Sequence, residues 1–219
     1  MDEPTLTATA MIDSDHPAVV EYAHRHAVGD TDSDRAVALF YAVRDGFRYD
    51  PYRITLTVEG MRASTVLTNG YGWCVPKATL LAAVCRATGI PARLGFADVR
   101  NHLSTQRMRE VMGTDIFYWH GFTEILLNER WIKATPAFNI ELCDRFGLLP
   151  LDFNGKEDSI YHRFDREGNE HMEYVARRGS YNDVPLDLMV TELAALYPKW
   201  RPATRTADFE SDVARESGE

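Results

Sequence analysis

Cys74-Val75-Pro76-Lys77-Ala78-Thr79-Leu80-Leu81-Ala82-Ala83-Val84-Cys85-Arg86-Ala87-Thr88, followed by Gly89-Ile90-Pro91, is the stretch whose reading decides the fold. Its Ala and Leu content makes it a strong helix former. Proline is tolerated only in the first turn of a helix, where its missing N–H is no loss, so Pro76 sets the start near Cys74. Gly89 supplies an end, and Ile90-Pro91 forces an extended exit. Apolar residues lie almost all round the helix, which predicts a central, buried element. Upstream, Asn69-Gly70-Tyr71-Gly72 brings the chain tightly into it.

Working outward, Pro17 to His26 reads as a short helix. Asp30 to Ser33 offer N-caps for a stronger one carrying Ala36, Val37, Leu39, Phe40 and Val43 at helical spacing. It ends near Asp45-Gly46, where glycine can take the left-handed conformation. Residues 3 to 11 read as an edge strand or arm, and 47 to 70 as an irregular connection. After the central helix, Ala92 to Val99, Ile116 to Leu127 and Trp131 to Thr135 read as strands. The last two form an antiparallel hairpin across Asn128-Glu129-Arg130. Asn139 caps a short helix ending at Gly147. Ser159 to Phe164 and His171 to Arg177 read as another hairpin, Pro185 to Tyr197 as a closing helix, and the residues from about Ala203 as a frayed polar tail. Helices first and strands in antiparallel hairpins afterwards predict an α+β fold.

The 219 residues are 45% hydrophobic and 11% aromatic, enough for a packed core without staples. The net charge of −9 is spread along the chain, which argues against a nucleic-acid surface or docking to an anionic membrane. No apolar run is long enough to span a bilayer, and the N-terminus lacks a signal-peptide pattern. Three cysteines, an odd number with no CxxC pair, fit a reducing cytoplasm. No histidine cluster stands at zinc-ligand spacing, so neither a metal nor another cofactor is expected. Oligomeric state is not readable from the sequence.

A thiol at a helix start is chemically distinctive. Free N–H groups and the helix dipole favour the thiolate and predict a lowered pKa for Cys74. The same amides can stabilise an oxyanion. Cys85, mid-helix, and Cys143, in an apolar patch, read as buried structural cysteines. A catalytic thiol needs a base, usually histidine. His16, His24 and His26 belong to the polar first helix, His162 and His171 to the late hairpin, and His102 to a loop. His120 lies in the Ile116–Leu127 strand and shares a face with Phe122 and Glu124. Spacing alone does not select it.

Gly72-Trp73-Cys74-Val75-Pro76-Lys77-Ala78, continuing to Cys85-Arg86-Ala87-Thr88-Gly89-Ile90-Pro91-Ala92-Arg93, resembles the nucleophile helix of transglutaminase-like proteins, whose fold is related in a broad sense to papain-like proteases. His120-Gly121-Phe122-Thr123-Glu124-Ile125-Leu126-Leu127 and Trp131-Ile132-Lys133-Ala134-Thr135-Pro136 resemble that family's histidine strand and its partner. Phe40 to Asp45 and Tyr49 match its preceding helix. The resemblance implies a transglutaminase-like core, with the nucleophile helix packed on an antiparallel sheet, in one domain over 1–200 followed by a flexible tail over 201–219. It implies a Cys74 nucleophile and a His120 relay for acyl transfer or hydrolysis at a carboxamide, ester or peptide carbonyl. The substrate would be a peptide, a protein or a small amide. The family's triad Asp falls on Thr135, which can accept a hydrogen bond but carries no charge; Asn139, Asp115 and Asp152 are the other candidates to orient His120. Trp73, beside the nucleophile, Tyr49 with Tyr52, and Trp119 are the candidate substrate-binding aromatics. The change at Thr135 also motivates a second reading, a non-catalytic binding or scaffold module on the same fold.

Overall fold

The computed structural model describes residues 3–101, 104–160, 166–168, 172–198 and 208–217. In chain order the elements are α1 (Pro17–His26), α2 (Asp32–Gly46), β1 (Arg48–Tyr49), α3 (Val58–Met61), α4 (Ala63–Asn69), β2 (Tyr71–Gly72), α5 (Cys74–Ala87), β3 (Ala92–Asn101), α6 (Gln106–Met112), β4 (Ile116–Leu127), β5 (Arg130–Ala134), α7 (Ile140–Arg145), β6 (Met172–Tyr181), α8 (Leu186–Leu196) and α9 (Phe209–Ser217).

A four-stranded sheet, ordered β5-β4-β3-β6 with every neighbour antiparallel, carries α5 on β3 and β4. Helices α1, α2 and α4 pack on the same helix. The α+β expectation and the central helix are thus both found, with every residue from Cys74 to Arg86 buried. Local chemistry accounts for the ends. Thr31 closes a capping box with Asp34 at the start of α2, so two otherwise orphaned amides are satisfied reciprocally. Gly89 ends α5 at φ +78°. Asn128 and Glu129, at φ +49° and +63°, make the two-residue turn between β4 and β5, both in the left-handed conformation that matches a tight hairpin to the right-handed twist of its strands.

One irregularity sits beside the site. Ala97 pairs with His120 but Val99 pairs with Phe117, so β4 carries one residue more than β3. Trp119 absorbs it at φ +59°, a conformation a bulky residue rarely takes. Asp98 accepts the Trp119 backbone N–H at 3.1 Å, and Arg178 bonds the carboxylates of both Asp98 and Glu192. The Arg178 guanidinium also lies 4.9 Å from the Trp119 ring. A buried ion-pair network therefore holds the bulge.

Several expectations are corrected. Residues 5 to 11 form no strand; Glu3–Thr5 is a single 3-10 turn. Residues 47 to 70 are not merely irregular, because Thr57 caps α3 and α4 follows at once. Gly46 is not left-handed, since α2 runs straight into extended Phe47. Strand β6 pairs with β3, and Ser159 bridges Ala134; the expected Ser159–Phe164 strand lies outside the described residues from position 161. Residues 102, 103, 161–165 and 169–171, with His102, His162 and His171, lie outside the described residues. So do 201–207 and 218–219 of the expected tail. Its remainder is helix α9, ordered because Phe209 and Val213, four residues apart, bury one apolar stripe. Among the described residues no helix is long and apolar enough to cross a membrane.

Candidate active site

Helix α5 opens without a side-chain cap. Trp73 occupies the N-cap position in extended conformation and has no oxygen to offer. Pro76 contributes no N–H, and the amide of Lys77 already bonds the Trp73 carbonyl at 3.1 Å. The amides of Cys74 and Val75 instead favour charge on the Cys74 sulfur. Gly121 of β4 lies against the same turn, and its amide favours that charge too. Gly121 can come this close because it has no Cβ; one added there would stand 2.9 Å from Val75 Cγ2 and 3.1 Å from Val75 Cα. The strand residue adjoining His120 is therefore pressed against the first turn of α5, and both Cys74 and His120 are buried.

The electrostatics differ from the expected lowered pKa. Burial pushes the Cys74 thiol up, and the three amides only partly offset that, leaving it at about 11. Cys85 and Cys143, pushed up by burial to about 12 with no such amides, keep the inert character read for them. All three are free thiols. Cys74 thus rests as a neutral thiol surrounded by donors that favour the charge once it forms.

Tyr49 forms the neighbouring wall. Parallel pairing of β1 with β2 sets Tyr49 opposite Gly72, two residues before Cys74. Asn139 Oδ1 accepts the Tyr49 N–H at 3.0 Å, while its Nδ2 donates to Glu141 at 2.7 Å. Burial, then the nearby Cys74, holds the Tyr49 phenol well above its ordinary pKa. On the other side of the turn, a cleft of about 50 Å³ is lined by Arg53, Asn69, Tyr71, Gly72, Trp73 and Pro76 among others. Trp73 thus lines this cleft, and Tyr49 lies opposite Gly72. Trp119 is 1% exposed and donates its indole N–H to Glu192 at 3.1 Å, so it serves the bulge.

The four candidates to orient His120 part company. Thr135 is buried and donates its hydroxyl to the Ile160 carbonyl at 2.7 Å, which leaves the oxygen lone pairs as acceptors. Asn139 bonds Tyr49 and Glu141 and keeps one Oδ1 lone pair and one Nδ2 hydrogen. Asp115 pairs with Arg100 at 3.1 Å, and Asp152, 82% exposed, lies near Tyr41 and Arg44.

Sequence reasoning missed Lys77. It is fully buried, and its ammonium donates to the carbonyls of Arg44, Phe47 and Ala137 at 2.8, 2.6 and 2.8 Å. This clamp joins the nucleophile turn to the end of α2 and to the segment after β5. The signal was present: a lone lysine in the first turn of a helix otherwise apolar on every side.

A family model described as the transglutaminase-like superfamily matches residues 21–136. A search of curated proteins returns no match. Among solved structures, a proposed cysteine protease from Cytophaga hutchinsonii is 17% identical with a TM-score of 0.51, over 83% of this chain and 47% of that one. A proposed protease from Parabacteroides distasonis is 16% identical with a TM-score of 0.38, over 57% of this chain and 25% of its own. The chain thus spans about half the length, or less, of the solved structures it resembles.

Proposed function

We propose a function for this chain from the premise that it belongs to the transglutaminase-like superfamily. It is a cysteine-dependent enzyme that transfers or hydrolyses the acyl group of a peptide, protein or small amide through a thioester on Cys74. The observation that carries this reading is the buried Cys74 at the uncapped start of α5, with Gly121, the residue next to the buried His120, packed against Val75 of the same turn.

Because burial keeps the thiol protonated, the chemistry starts with proton removal rather than from a standing thiolate. The imidazole of His120 takes the proton as sulfur attacks the carbonyl carbon. The charge formed on the carbonyl oxygen falls beside the sulfur, where the uncapped amides of Cys74 and Val75 that favour charge on the thiol pass to it. Collapse breaks the carbon–nitrogen bond, and the imidazolium returns its proton to the departing amine. Water or a second amine then attacks the thioester, and Cys74 regains its proton. Thr135 accepts from the imidazole through its free lone pairs, a neutral substitute for the family's carboxylate.

The test is trapping. Incubation with amide and ester acyl donors, followed by intact mass measurement, should give an adduct that hydroxylamine removes. Cys74→Ala and His120→Ala should each abolish it while Cys85→Ala retains it. Absence of any adduct across such donors would favour the second reading, a binding module, to which Thr135 at the Asp position and the 6% exposure of Cys74 also point.

A further inference from the structure

The last helix makes contacts that a trailing segment does not need. Phe209, Asp212, Val213 and Glu216 recur at i, i+3, i+4 and i+7, so they share one helix face. Phe209 is 4% exposed and sits edge-on to Tyr49 and Tyr52, with ring centroids 5.9 and 5.3 Å away. Tyr49 is the same ring whose phenol feels the Cys74 sulfur. The aromatic contact therefore runs from the helix directly to the nucleophile's wall.

The polar contacts have one sign. Asp212 accepts from Tyr52 Oη and from Arg107 Nε, both at 2.8 Å. Glu210 lies 3.5 Å from Arg48 and 3.8 Å from Arg145. Glu216 accepts the Gln106 amide at 3.0 Å and lies 4.0 Å from Arg109. Three acids on α9 thus face four arginines contributed by β1, α6 and α7. Burial alone would push the Asp212 carboxyl up, yet hydrogen bonds from Arg107, Tyr52 and Arg215 outweigh it and hold it below the usual value. This is the helix-in-groove pattern, an aromatic anchor with charged flanks. The body of the protein presents a basic, aromatic-floored groove that ends at the wall of Cys74.

We propose that this groove recognises an acidic segment with a phenylalanine anchor, and that residues 209–217 occupy it as an internal competitor restricting access to Cys74. The inference rests on Cys74 being the reactive thiol and names the class of segment presented to it.

The test uses the full chain carrying Phe209→Ser with Asp212→Lys, and a synthetic peptide spanning residues 208–217. Iodoacetamide labelling of Cys74 is followed by mass spectrometry, with hydrogen exchange over 209–217 measured alongside. The double variant should exchange rapidly in the helix and label Cys74 at least tenfold faster than the parent, with Cys85 and Cys143 still protected. The peptide should slow that labelling. Arg107→Glu should also accelerate labelling, and Arg107→Glu with Asp212→Lys should restore the parental rate, which controls for a misfolded double variant. The proposal is overturned if the helix is released and Cys74 labels at the parental rate, if the peptide gives no protection, or if helix exchange is unchanged. Faster labelling with no acyl adduct would leave this inference standing and remove the acyl-transfer reading.

Discussion

The two ends of α5 are built alike and do different things. Its first turn holds Cys74 and Lys77; its last holds Cys85 and Arg86. Lys77 donates to the carbonyls of Arg44, Phe47 and Ala137, and Arg86 to those of Ala92, Thr7 and Asn182 at 2.9, 2.7 and 2.8 Å. Each cation thereby bonds three backbone oxygens, Lys77 tying two chain segments to the helix and Arg86 three. Burial drives Lys77 down to about 7 and Arg86 to about 10. An ammonium has three N–H groups for three carbonyls, so the clamp at Lys77 opposes that drive. The ends differ in what lies next to the thiol. Cys74 stands at the uncapped start of the helix with Gly121 packed against its turn, whereas Cys85 lies within the helix, where amides are paired along the chain. An activated position here is a matter of uncapped backbone, since the neighbouring cation is common to both ends.

The largest expected effect is on reactivity. With Cys74 raised to about 11, only about one thiol in 10⁴ is ionised at pH 7. Alkylation of Cys74 should therefore rise about tenfold per pH unit up to about pH 10 and level off near 11. Cys85, at about 12, should trail it throughout. The sign for stability follows the same shift. A native pKa above the unfolded one means that stability from burying the neutral thiol is complete below about pH 8.5 and is lost as pH rises through about 11. A plateau in the alkylation profile near pH 7 would break the account.

Next come the clamps. Lys77→Met leaves three carbonyls facing a methyl group and should cost about 3–5 kcal/mol in urea unfolding. Arg86→Met should cost about as much by the same reasoning. What separates them is the Cys74 labelling profile, expected to shift in the Lys77 variant alone. Equal shifts in both would erase the distinction between the ends. Gly121→Ala should cost about 1–3 kcal/mol, since its Cβ would meet Val75, and it should raise the Cys74 midpoint by withdrawing an amide. Smallest is Thr135→Ala. Loss of its bond to Ile160 should change stability by about 1 kcal/mol while reducing acyl transfer. Thr135→Asp should retain or raise transfer, and unchanged activity in both variants moves the orienting role elsewhere.

The nucleophile helix and the β4–β5 hairpin were legible because short-range signals fix them. Pro76 and Gly89 bound the one, and Asn128-Glu129 turns the other. His120 needed the resemblance, because a strand histidine has no local signature. The bulge at Trp119 was not legible, since it depends on Asp98 and Arg178, 21 and 59 positions away. Helix α9 was hidden for a similar reason. Its composition is polar, and it takes Tyr49, Tyr52, Phe146 and the arginines opposite to give Phe209 and Asp212 a place to bind. The expected thiolate failed on a question of magnitude, because the helix terminus argument is sound and burial is larger.

The Arg86 clamp also sets an order of assembly. Its three acceptors are made at very different times in a chain that grows from its N-terminus: Thr7 long before it, Ala92 just after, and Asn182 ninety-six residues later. Until that last carbonyl arrives, the guanidinium has only two of its three anchors. The helix that begins at Cys74 can therefore form early, but its far end locks only once residue 182 has been made.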